Sequence, residues 1–538
     1  MTAAAGLGSR AFVSTGRGPV VAAHTMVSTG HPLATATGIR LLLDGGNAFD
    51  AAIGAAAVIA VVEPSSNQIG GDVFALCRPA ATGIVEAVNA SGPAPTAADP
   101  SGYAEGIPTH GLRSATLPGA VAAWEVINRR YGQAPLERLL APAIVYASGG
   151  FPVDMALAGA ISQSLEALKQ FPATAAVLCP SGRAPRPGET LVQPDLARTL
   201  REIAANGSAG FYQGLFAERL LQASEASGGD WSVEDLAAMP VEVLPPLRTV
   251  YRGYAVLEQP LPSQGYLVLA DLNIAEGFDV AALRFGTANS LHIMVEAHKL
   301  AFADRLAHLG DPAHVDVPVD MLVSKEFAAR RRMMLNPARA SVRPASNDPS
   351  GVGQDTTAVS VVDEDGNAIT LIQSVFQQLG SAFIVPGTGV LLNNRMNGFS
   401  LDPASPNCLA GGKRPIHTLN TYMVQREGAL MMLGGSPGGH FQTQANFQVL
   451  TNVIDHGMHW QAAMDAPRWY HDADTDTLTL ESRFELDVAS ALERRGHGVA
   501  WAPAFTPRAR SQGIMLDPAS GARFGATDPR WHGQVLGY

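Results

Sequence analysis

The chain has 538 residues, of which 46% are hydrophobic and 16% are charged. This composition is typical of a folded globular protein and excludes a largely disordered one. The formal net charge of −11 argues against nucleic acid or an anionic membrane as the main partner. The chain is also too long to form only one small core, although length is a soft guide to domain number.

Cysteine usage and the N-terminal segment bear on the cellular compartment. Cys77, Cys179 and Cys408 show neither the spacing of a disulfide framework nor a zinc-binding pattern, and such cysteines are typical of a reducing compartment. The segment from Met1 to Val21 lacks the apolar core of a signal peptide. No apolar run reaches the roughly 18 residues expected of a membrane span. The sequence therefore predicts a cytoplasmic protein with no membrane partner.

The first strong element is a helix that begins after Asn47. Residues 51–62 are almost wholly apolar, which is typical of a helix enclosed on every side. Asn47 is a suitable N-cap, and Asp50 favours the positive N-terminal end of the helix. The pair Gly70 and Gly71 follows. Because glycine has no Cβ, the pair is predicted to let two backbone segments approach closely.

Further along, hydrophobic periodicity divides the chain into strands and helices. Residues 153–245 are predicted to be mainly helical. Strands are predicted at 73–76, 83–89 and 251–257, and helices at 118–131, 136–147, 266–275, 289–308 and 442–456.

The predicted helix 289–308 carries residue types that can bind a metal ion. His292 and Glu296 are one turn apart, as the ligands of a metal ion can be. A helix of this length is also expected to carry polar residues on its outer face. We favour that second interpretation and expect no metal.

Residues 353–363 join a loop of small polar residues to an alternating apolar strand. The alternation places the odd-numbered side chains of this strand on one face and the even-numbered ones on the other. A turn at 363–367 leads into a returning strand at 368–374. Thr356 is therefore predicted to lie at the mouth of a hairpin.

A threonine at this position has two interpretations. The simpler one is that Thr356 and Thr357 only add β-propensity. The other is that the chain is cut between Asp355 and Thr356, which frees an α-amine. Such an amine has a pKa of about 7.7–8.0 and can act as the base that activates the hydroxyl. Residues 337–355 are rich in Pro, Ser, Asn and Gly, which suits a mobile linker before such a cut.

Several short motifs carry a resemblance from about Gly30 to Tyr538. They are Gly45–Ala48, Gly70–Asp72, Leu117–Gly119, Ala303–Arg305, Thr356–Asn367, Gly389–Asn394, Lys413–Pro415, Ser436–Gly439 and Asp528–Arg530. In order and spacing they resemble the gamma-glutamyltransferase family of N-terminal-nucleophile hydrolases. The resemblance implies an α+β fold, an αββα four-layer sandwich with antiparallel central sheets. It also implies a large subunit (1–355) and a small subunit (356–538) that form one intertwined domain without a metal or cofactor.

The resemblance also implies catalytic roles. Thr356 corresponds to the family's nucleophile, and the peptide bond after Asp355 to its cleavage site. Ser374 keeps a hydroxyl that hydrogen-bonds the nucleophile in the family, although a strand-end serine needs no such role. Gly438 and Gly439 correspond to the oxyanion hole, where backbone N–H groups stabilise the negative oxygen. The simpler alternative for this pair is a plain turn.

The chain departs from the family where glutamyltransferases hold an amino acid headgroup. An arginine that binds the α-carboxylate is missing, and the closest position is Asn89. Phe376 replaces an asparagine, and Gly398 replaces the aspartate that holds the α-amine. Asn89 cannot supply the charge that a carboxylate needs for tight binding. The headgroup clamp therefore differs from that of a glutamyltransferase.

Four other features are candidates for binding a different substrate. Arg395 suits a carboxylate near the scissile amide, and a structural salt bridge is an equally good interpretation. Phe376 would supply an apolar wall. His417 would contact the substrate or orient its neighbours, and Thr418 keeps one hydroxyl of a family serine pair.

These observations predict a self-cleaving amidohydrolase that acts on a small-molecule amide through an acyl-enzyme. The amide would carry a carboxylate, as oxamate does, or a larger acyl group, and acyl transfer to an amine stays open. One alternative is a true gamma-glutamyltransferase or glutathione hydrolase. Another is an unprocessed or inactive scaffold. A homodimer of the two-subunit enzyme is also left open, and nucleic acid is not an expected partner.

Overall fold

The computed structural model describes residues 17–237, 239–342 and 356–538. Asp355, on one side of the predicted cleavage site, lies outside these residues, whereas Thr356 lies within them.

The strands form mainly two sheets. In chain order they are β1 Val20–Ala22, β2 Met26–Thr29, β3 Asp72–Arg78, β4 Glu86–Ala90, β5 Phe151–Pro152, β6 Thr190–Leu191, β7 Glu242–Leu244, β8 Leu247–Tyr251, β9 Tyr254–Glu258, β10 Thr357–Val362, β11 Ala368–Ser374, β12 Tyr422–Arg426, β13 Ala429–Gly435, β14 Trp469–Asp472, β15 Thr477–Glu481, β16 Gly498–Ala502, β17 Gln512–Leu516, β18 Arg523–Thr527 and β19 Gln534–Gly537.

The helices lie mostly outside these sheets. In chain order they are α1 Pro32–Leu43, α2 Ala48–Val62, α3 Ala120–Tyr131, α4 Leu136–Gly149, α5 Met155–Gln163, α6 Leu165–Lys169, α7 Pro172–Leu178, α8 Pro194–Asn206, α9 Ala209–Tyr212, α10 Leu215–Ser227, α11 Val233–Ala237, α12 Tyr266–Ala275, α13 Val280–Leu283, α14 Ala288–His308, α15 Val319–Leu322, α16 Lys325–Arg332, α17 Phe441–Ile454, α18 Trp460–Asp465 and α19 Leu486–Arg494.

Two seven-stranded antiparallel sheets form the centre of the molecule. Sheet I has the order β19-β2-β10-β11-β3-β4-β7, and sheet II has the order β1-β18-β17-β13-β12-β9-β8. One apolar core packs sheet I against α2, and another packs sheet II against α12, α14 and α17. Side chains from both sheets, among them Leu76 and Leu433, form the core between them. The predicted αββα sandwich is confirmed.

The alternation in β10 explains its place between two layers. Val359 and Val361 join the core under α2, whereas Val362 joins the core between the sheets. The predicted division into an odd-numbered and an even-numbered face is therefore confirmed. It follows that an even-numbered side chain at the start of β10 points towards sheet II.

Helix α2 forms as the sequence predicts. Asn47 accepts hydrogen bonds from the N–H groups of Phe49 and Asp50, and the Asp50 side chain accepts one from the Asn47 N–H, which completes a capping box. Every residue of the helix is buried. Its neighbour Asp363, in the turn after β10, accepts a hydrogen bond from the Ala48 N–H at 2.9 Å. This contact ties the start of α2 to the central hairpin.

One prediction of local structure is wrong. The single strand predicted at 251–257 is a hairpin, with β8 and β9 on either side of Arg252 and Gly253. Both turn residues have positive φ angles, 51° and 83°, which is the conformation of a tight two-residue hairpin. Residues 153–245 are mainly helical, as predicted, and contain two short strands, β6 and β7, of which β7 lies on the edge of sheet I. A strand of three residues is too short for its alternation to be recognised.

Both central sheets contain strands from each side of Thr356. In sheet I, β10 pairs with β2 and β11 pairs with β3. In sheet II, β12 pairs with β9. Cleavage before Thr356 would therefore leave two chains joined through two shared sheets. Among the described residues, no helix is both long and apolar enough to span a membrane.

Substitution of Gly70 by alanine is expected to lower the free energy of unfolding by about 2–3 kcal/mol. A Cβ at this position would lie only 2.1 Å from the carbonyl oxygen of Leu391, so the backbone would have to move. Urea denaturation measures the change. Gly159→Ala in α5 is the matched control, because a Cβ there meets no atom within 4 Å. Equal stability of the Gly70→Ala variant and the wild type would contradict a packing role for Gly70.

Candidate active site

Thr356 immediately precedes β10, an inner strand of sheet I. Its side chain is buried, with 3% of the residue exposed. Thr357 pairs with Gln373, and the same register brings Ser374 beside Thr356. Ser374 in turn pairs with Asp72 on β3. Because residues directly opposite each other share a face, Thr356, Ser374 and Asp72 form a row that faces sheet II.

A small cavity lies next to Thr356. It is lined by Gly30 and Pro437, and its remaining lining residues come mainly from the end of sheet II. These residues are Thr357, Arg510, Ser511, Gln512, Thr527, Asp528, Trp531 and Gly533. The Arg510 guanidinium stacks on the Trp531 ring at 3.9 Å from its centroid. Thr356 therefore borders a cavity whose lining comes both from Gly30, which precedes it in the sequence, and from residues that follow it.

Ser374 fixes the backbone next to the nucleophile position. Its Oγ accepts a hydrogen bond from the Phe376 N–H at 2.7 Å. Phe376 has a φ angle of 83°, an unfavourable value for a residue with a large side chain. The hydrogen bond stabilises this conformation and holds the buried Phe376 ring over Arg395, at 4.3 Å from the guanidinium carbon.

Arg395 is fully buried beside the row. Its Nε lies 3.4 Å from the Asp72 carboxylate. Within the described part of the chain, none of its three side-chain nitrogens has a hydrogen-bond acceptor. Burial lowers the pKa of Arg395 to about 10, an effect that Asp72 opposes, so the group is charged at neutral pH. A charged guanidinium with unused donors is a ready binding group for a carboxylate.

His417 lies on the other side of Asp72. Its Nε2 donates a hydrogen bond to the same carboxylate at 3.1 Å, and its ring packs against Phe74. Burial, together with the charge of Arg395, lowers the pKa of His417 to about 4, although Asp72 opposes this shift. The neutral ring therefore carries its proton on Nε2, which leaves Nδ1 as an acceptor. Nδ1 has no partner among the described residues.

Gly438 and Gly439 form the turn between β13 and α17. Their φ angles are 152° and 60°, and a Cβ on Gly438 would lie 2.3 Å from the Arg508 carbonyl oxygen. The Gln264 side chain donates to the Gly439 carbonyl at 3.3 Å. Within the described chain, the N–H groups of both glycines lack an acceptor. Two such donors are the requirement for an oxyanion hole.

The remaining predicted residues have mainly structural contacts. Asn89 donates to Glu242 at 2.8 Å, and its oxygen accepts from the N–H and hydroxyl of Ser91. Thr418 is buried, and its carbonyl accepts a hydrogen bond from Gln264. Asn89 is thus held within strand β4 of sheet I, and Thr418 lies near the glycine turn. Their substrate-binding roles stay predictions.

Sequence reasoning did not single out two residues of this arrangement. Asp72 pairs with both Arg395 and His417, and Gln264 bridges Thr418 and Gly439. Asp72 belongs to the Gly70–Asp72 motif of the family resemblance, which gave this residue no role of its own. Gln264 gives no signal, because its partners are distant in the chain.

Comparisons with known proteins bear on what this site does. The sequence profile of the gamma-glutamyltranspeptidase family matches residues 34–538. The chain belongs to this family. It is 37% identical to the oxamate amidohydrolase proenzyme of Klebsiella pneumoniae over 533 residues, covering 96% of this chain and 99% of that protein. It is 36% identical to the glutathione hydrolase-like YwrD proenzyme of Bacillus subtilis over 525 residues, with the same coverage.

A solved structure gives the same result for the fold. The cephalosporin acylase from Bacillus halodurans superimposes with a TM-score of 0.90 at 35% identity, covering 100% of this chain and 99% of that one. This similarity and the family membership identify the chain as an amide-hydrolysing enzyme with the N-terminal-nucleophile fold.

Ser374→Ala is expected to lower kcat about 10- to 100-fold, since the variant loses a hydroxyl beside Thr356 and the acceptor that holds the Phe376 N–H. Ser374→Thr keeps the hydroxyl and should recover most of the activity. Steady-state assays on an amide substrate measure both. Full activity of the alanine variant would contradict a role for this hydroxyl.

Proposed function

We propose that the protein is a self-cleaving N-terminal-threonine amidohydrolase. The observation that carries this proposal is the buried position of Thr356 at the head of β10, in a row with Ser374 and Asp72. Cleavage of the bond between Asp355 and Thr356 would give a large subunit (1–355) and a small subunit (356–538). The shared sheets would hold the two subunits together as one domain.

Self-cleavage would use the threonine hydroxyl on its own chain. The Thr356 Oγ attacks the carbonyl carbon of Asp355, the C–N bond breaks, and the nitrogen takes up the hydroxyl proton. The resulting ester between Asp355 and the threonine oxygen is then hydrolysed by water. The break of the C–N bond has already freed the α-amine of Thr356, and hydrolysis of the ester frees its hydroxyl and the new C-terminal carboxylate of Asp355.

In turnover, the freed α-amine would act as the general base. It takes the proton from Oγ as Oγ attacks the substrate carbonyl, and it returns that proton to the leaving amine. The Gly438 and Gly439 N–H groups would stabilise the oxyanion of the tetrahedral intermediate. Water then attacks the acyl-enzyme ester, releasing the acid and restoring the hydroxyl.

Arg395 supports a carboxylate on the acyl part of the substrate. The Cα atoms of Thr356 and Asp72 are two strand spacings apart, about 10 Å, and Arg395 is in contact with Asp72. A short dicarboxylic acid monoamide would be long enough to reach from the hydroxyl towards the guanidinium. Phe376 would cover its apolar part. The acylase and oxamate amidohydrolase relatives are compatible with this class, and a larger uncharged acyl group is the alternative.

Hydrolysis is favoured over classical glutamyl transfer because the residues that bind an amino acid headgroup are missing. The side chain of Asn89, near the position of the missing arginine, is already hydrogen-bonded to Glu242 and Ser91. Gly398 has no side chain to hold an α-amine. A substrate without an α-amino group therefore suits this site better. The cytoplasmic location stays a prediction, to be tested by cell fractionation.

A matched set of anilides tests the proposal. One acyl group is glutaryl, the second is its uncharged methyl ester, and the third is γ-glutamyl. We expect release of aniline to be fastest from the glutaryl compound, without stimulation by an added dipeptide acceptor. Preference for the γ-glutamyl compound, with transfer to the dipeptide, would favour a true gamma-glutamyltransferase. No turnover of any amide by cleaved protein would favour the inactive scaffold.

A further inference from the structure

Helix α14 carries a line of buried polar side chains that are distinct from Thr356, Ser374 and Asp72. His292, Glu296 and Lys299 follow one another at helical spacing, so they share one face. At most 4% of each residue is exposed, so the interpretation of His292 and Glu296 as part of an outer polar face is wrong. Burial of such groups costs free energy unless each has a partner. The partners therefore indicate what this face does.

The partners are backbone groups of one short segment, residues 336–341. His292 Nε2 donates to the Asn336 carbonyl at 2.8 Å. Glu296 accepts a hydrogen bond from the Ser341 N–H at 3.0 Å, and the Lys299 ammonium donates to the Ser341 carbonyl. Because these contacts involve the main chain, they fix where the segment runs and do not depend on its side chains.

Residues that follow Thr356 contact both the segment and the α14 side chains that bind it. The His497 ring lies with Nε2 at 2.8 Å from His292 Nδ1. The Arg495 carbonyl accepts a hydrogen bond from the Ala340 N–H at 2.7 Å. Asp476 pairs with Lys299 at 2.8 Å. The segment is thus held between α14 and the proposed small subunit.

The protonation states agree with this chain of contacts. Burial lowers the pKa of His292 and lowers that of His497 to about 3, so both rings are neutral at neutral pH. Since the Asn336 carbonyl can only accept, His292 carries its proton on Nε2. His497 then donates to His292 Nδ1.

The same group includes the residue types that bind metals. Ligand atoms of His292, Glu296 and His497 lie within 4.8 Å of one another. However, the Lys299 ammonium is 3.6 Å from the Glu296 carboxylate and already supplies the positive charge there. The two histidines also hydrogen-bond each other directly. These contacts favour the backbone segment over a metal ion as the occupant.

We propose that His292, Glu296, Lys299 and His497, here called the α14 clasp, accelerate self-cleavage by fixing residues 336–341. This inference rests on the proposed function. Residues 342–355 connect the clasped segment to Thr356, whose strand is fixed in sheet I. With both ends held, the connecting chain loses less conformational entropy when the scissile peptide is aligned for attack. The clasp residues are positioning residues and do not contact the reacting atoms.

Lys299→Met tests the clasp. The chain is made by cell-free synthesis with a short radioactive pulse, and its cleavage is followed on denaturing gels. We expect the half-time of cleavage to lengthen about tenfold or more, whereas kcat/KM of the fully cleaved enzyme stays at the wild-type value. Lys299→Arg, which keeps a cationic donor, should restore most of the cleavage rate.

Two further variants separate positioning from stability. Lys325→Met removes a lysine that likewise donates to a backbone carbonyl, that of Val250, and pairs with a carboxylate, Glu276. It should cleave at the wild-type rate. Ser341→Pro removes the N–H that Glu296 accepts and leaves the buried face of α14 unchanged, so it should slow cleavage even if Lys299→Met misfolds.

The outcomes distinguish the two proposals. Wild-type cleavage rates in Lys299→Met or in Ser341→Pro would overturn the clasp alone. Equal slowing by Lys325→Met would also overturn it, because the effect would then be a general loss of stability. A wild-type chain that never cleaves would instead contradict the proposed function, and the role of the clasp with it.

Discussion

Thr356→Ala is expected to leave the chain in one piece and to lower amidase kcat by at least about 10⁴-fold. The variant lacks the hydroxyl that is proposed both to cut the chain and to carry the acyl group. Denaturing gels report the cleavage, and a continuous assay with the glutaryl anilide reports the activity.

Ser360→Ala is the matched control for this substitution. Ser360 lies on the same strand and the same face, and its hydroxyl hydrogen-bonds Thr370 at 3.0 Å. This control should cleave and turn over normally, with a loss of about 1 kcal/mol in stability. A Thr356→Ala chain that still hydrolyses the anilide at a wild-type rate would refute the nucleophile assignment.

Arg395→Met, combined with Asp72→Asn, is expected to lower kcat/KM about 100-fold for the glutaryl anilide. Turnover of the uncharged methyl ester analogue should change little. The double variant is chosen because Arg395→Met alone would leave Asp72 buried beside the neutral His417, at a cost of about 3–5 kcal/mol. Equal losses on both substrates would contradict carboxylate binding by Arg395.

The single variant Arg395→Met is expected to change the pKa of His417. Arg395 is one cause of the low pKa of His417, and Asp72 acts in the opposite direction. Removal of the guanidinium is therefore expected to raise the pKa of His417 above its value of about 4. Nuclear magnetic resonance of the ring protons measures this shift, which should be smaller in the double variant.

Much of the fold follows from local sequence patterns. The apolar run of α2 predicts a helix that is buried on every side, and the alternation of β10 predicts its two different faces. The β8–β9 hairpin was not predicted, since Arg252 gives no signal that its φ angle is positive. The edge strand β7 was missed because its three residues acquire their structure from pairing with β4.

The candidate site was predictable only where a residue carries its chemistry in its type and position. The family resemblance singled out Thr356, Ser374 and the glycine pair by their motifs, and their catalytic roles stay predictions. The contacts of Asp72 with Arg395 and His417 were not predicted, because they join positions far apart in sequence. Asn89 was predicted from its position to bind substrate. In the structure its side chain is hydrogen-bonded to Glu242 and Ser91.

The intact mass of purified wild-type protein after incubation at neutral pH is the most direct test of this account. The account predicts two fragments that meet between Asp355 and Thr356, the second with a free threonine amine at its N-terminus. Brief reaction with the glutaryl anilide should add one glutaryl group to that second fragment. A single uncut chain that nevertheless hydrolyses the anilide would contradict the N-terminal nucleophile.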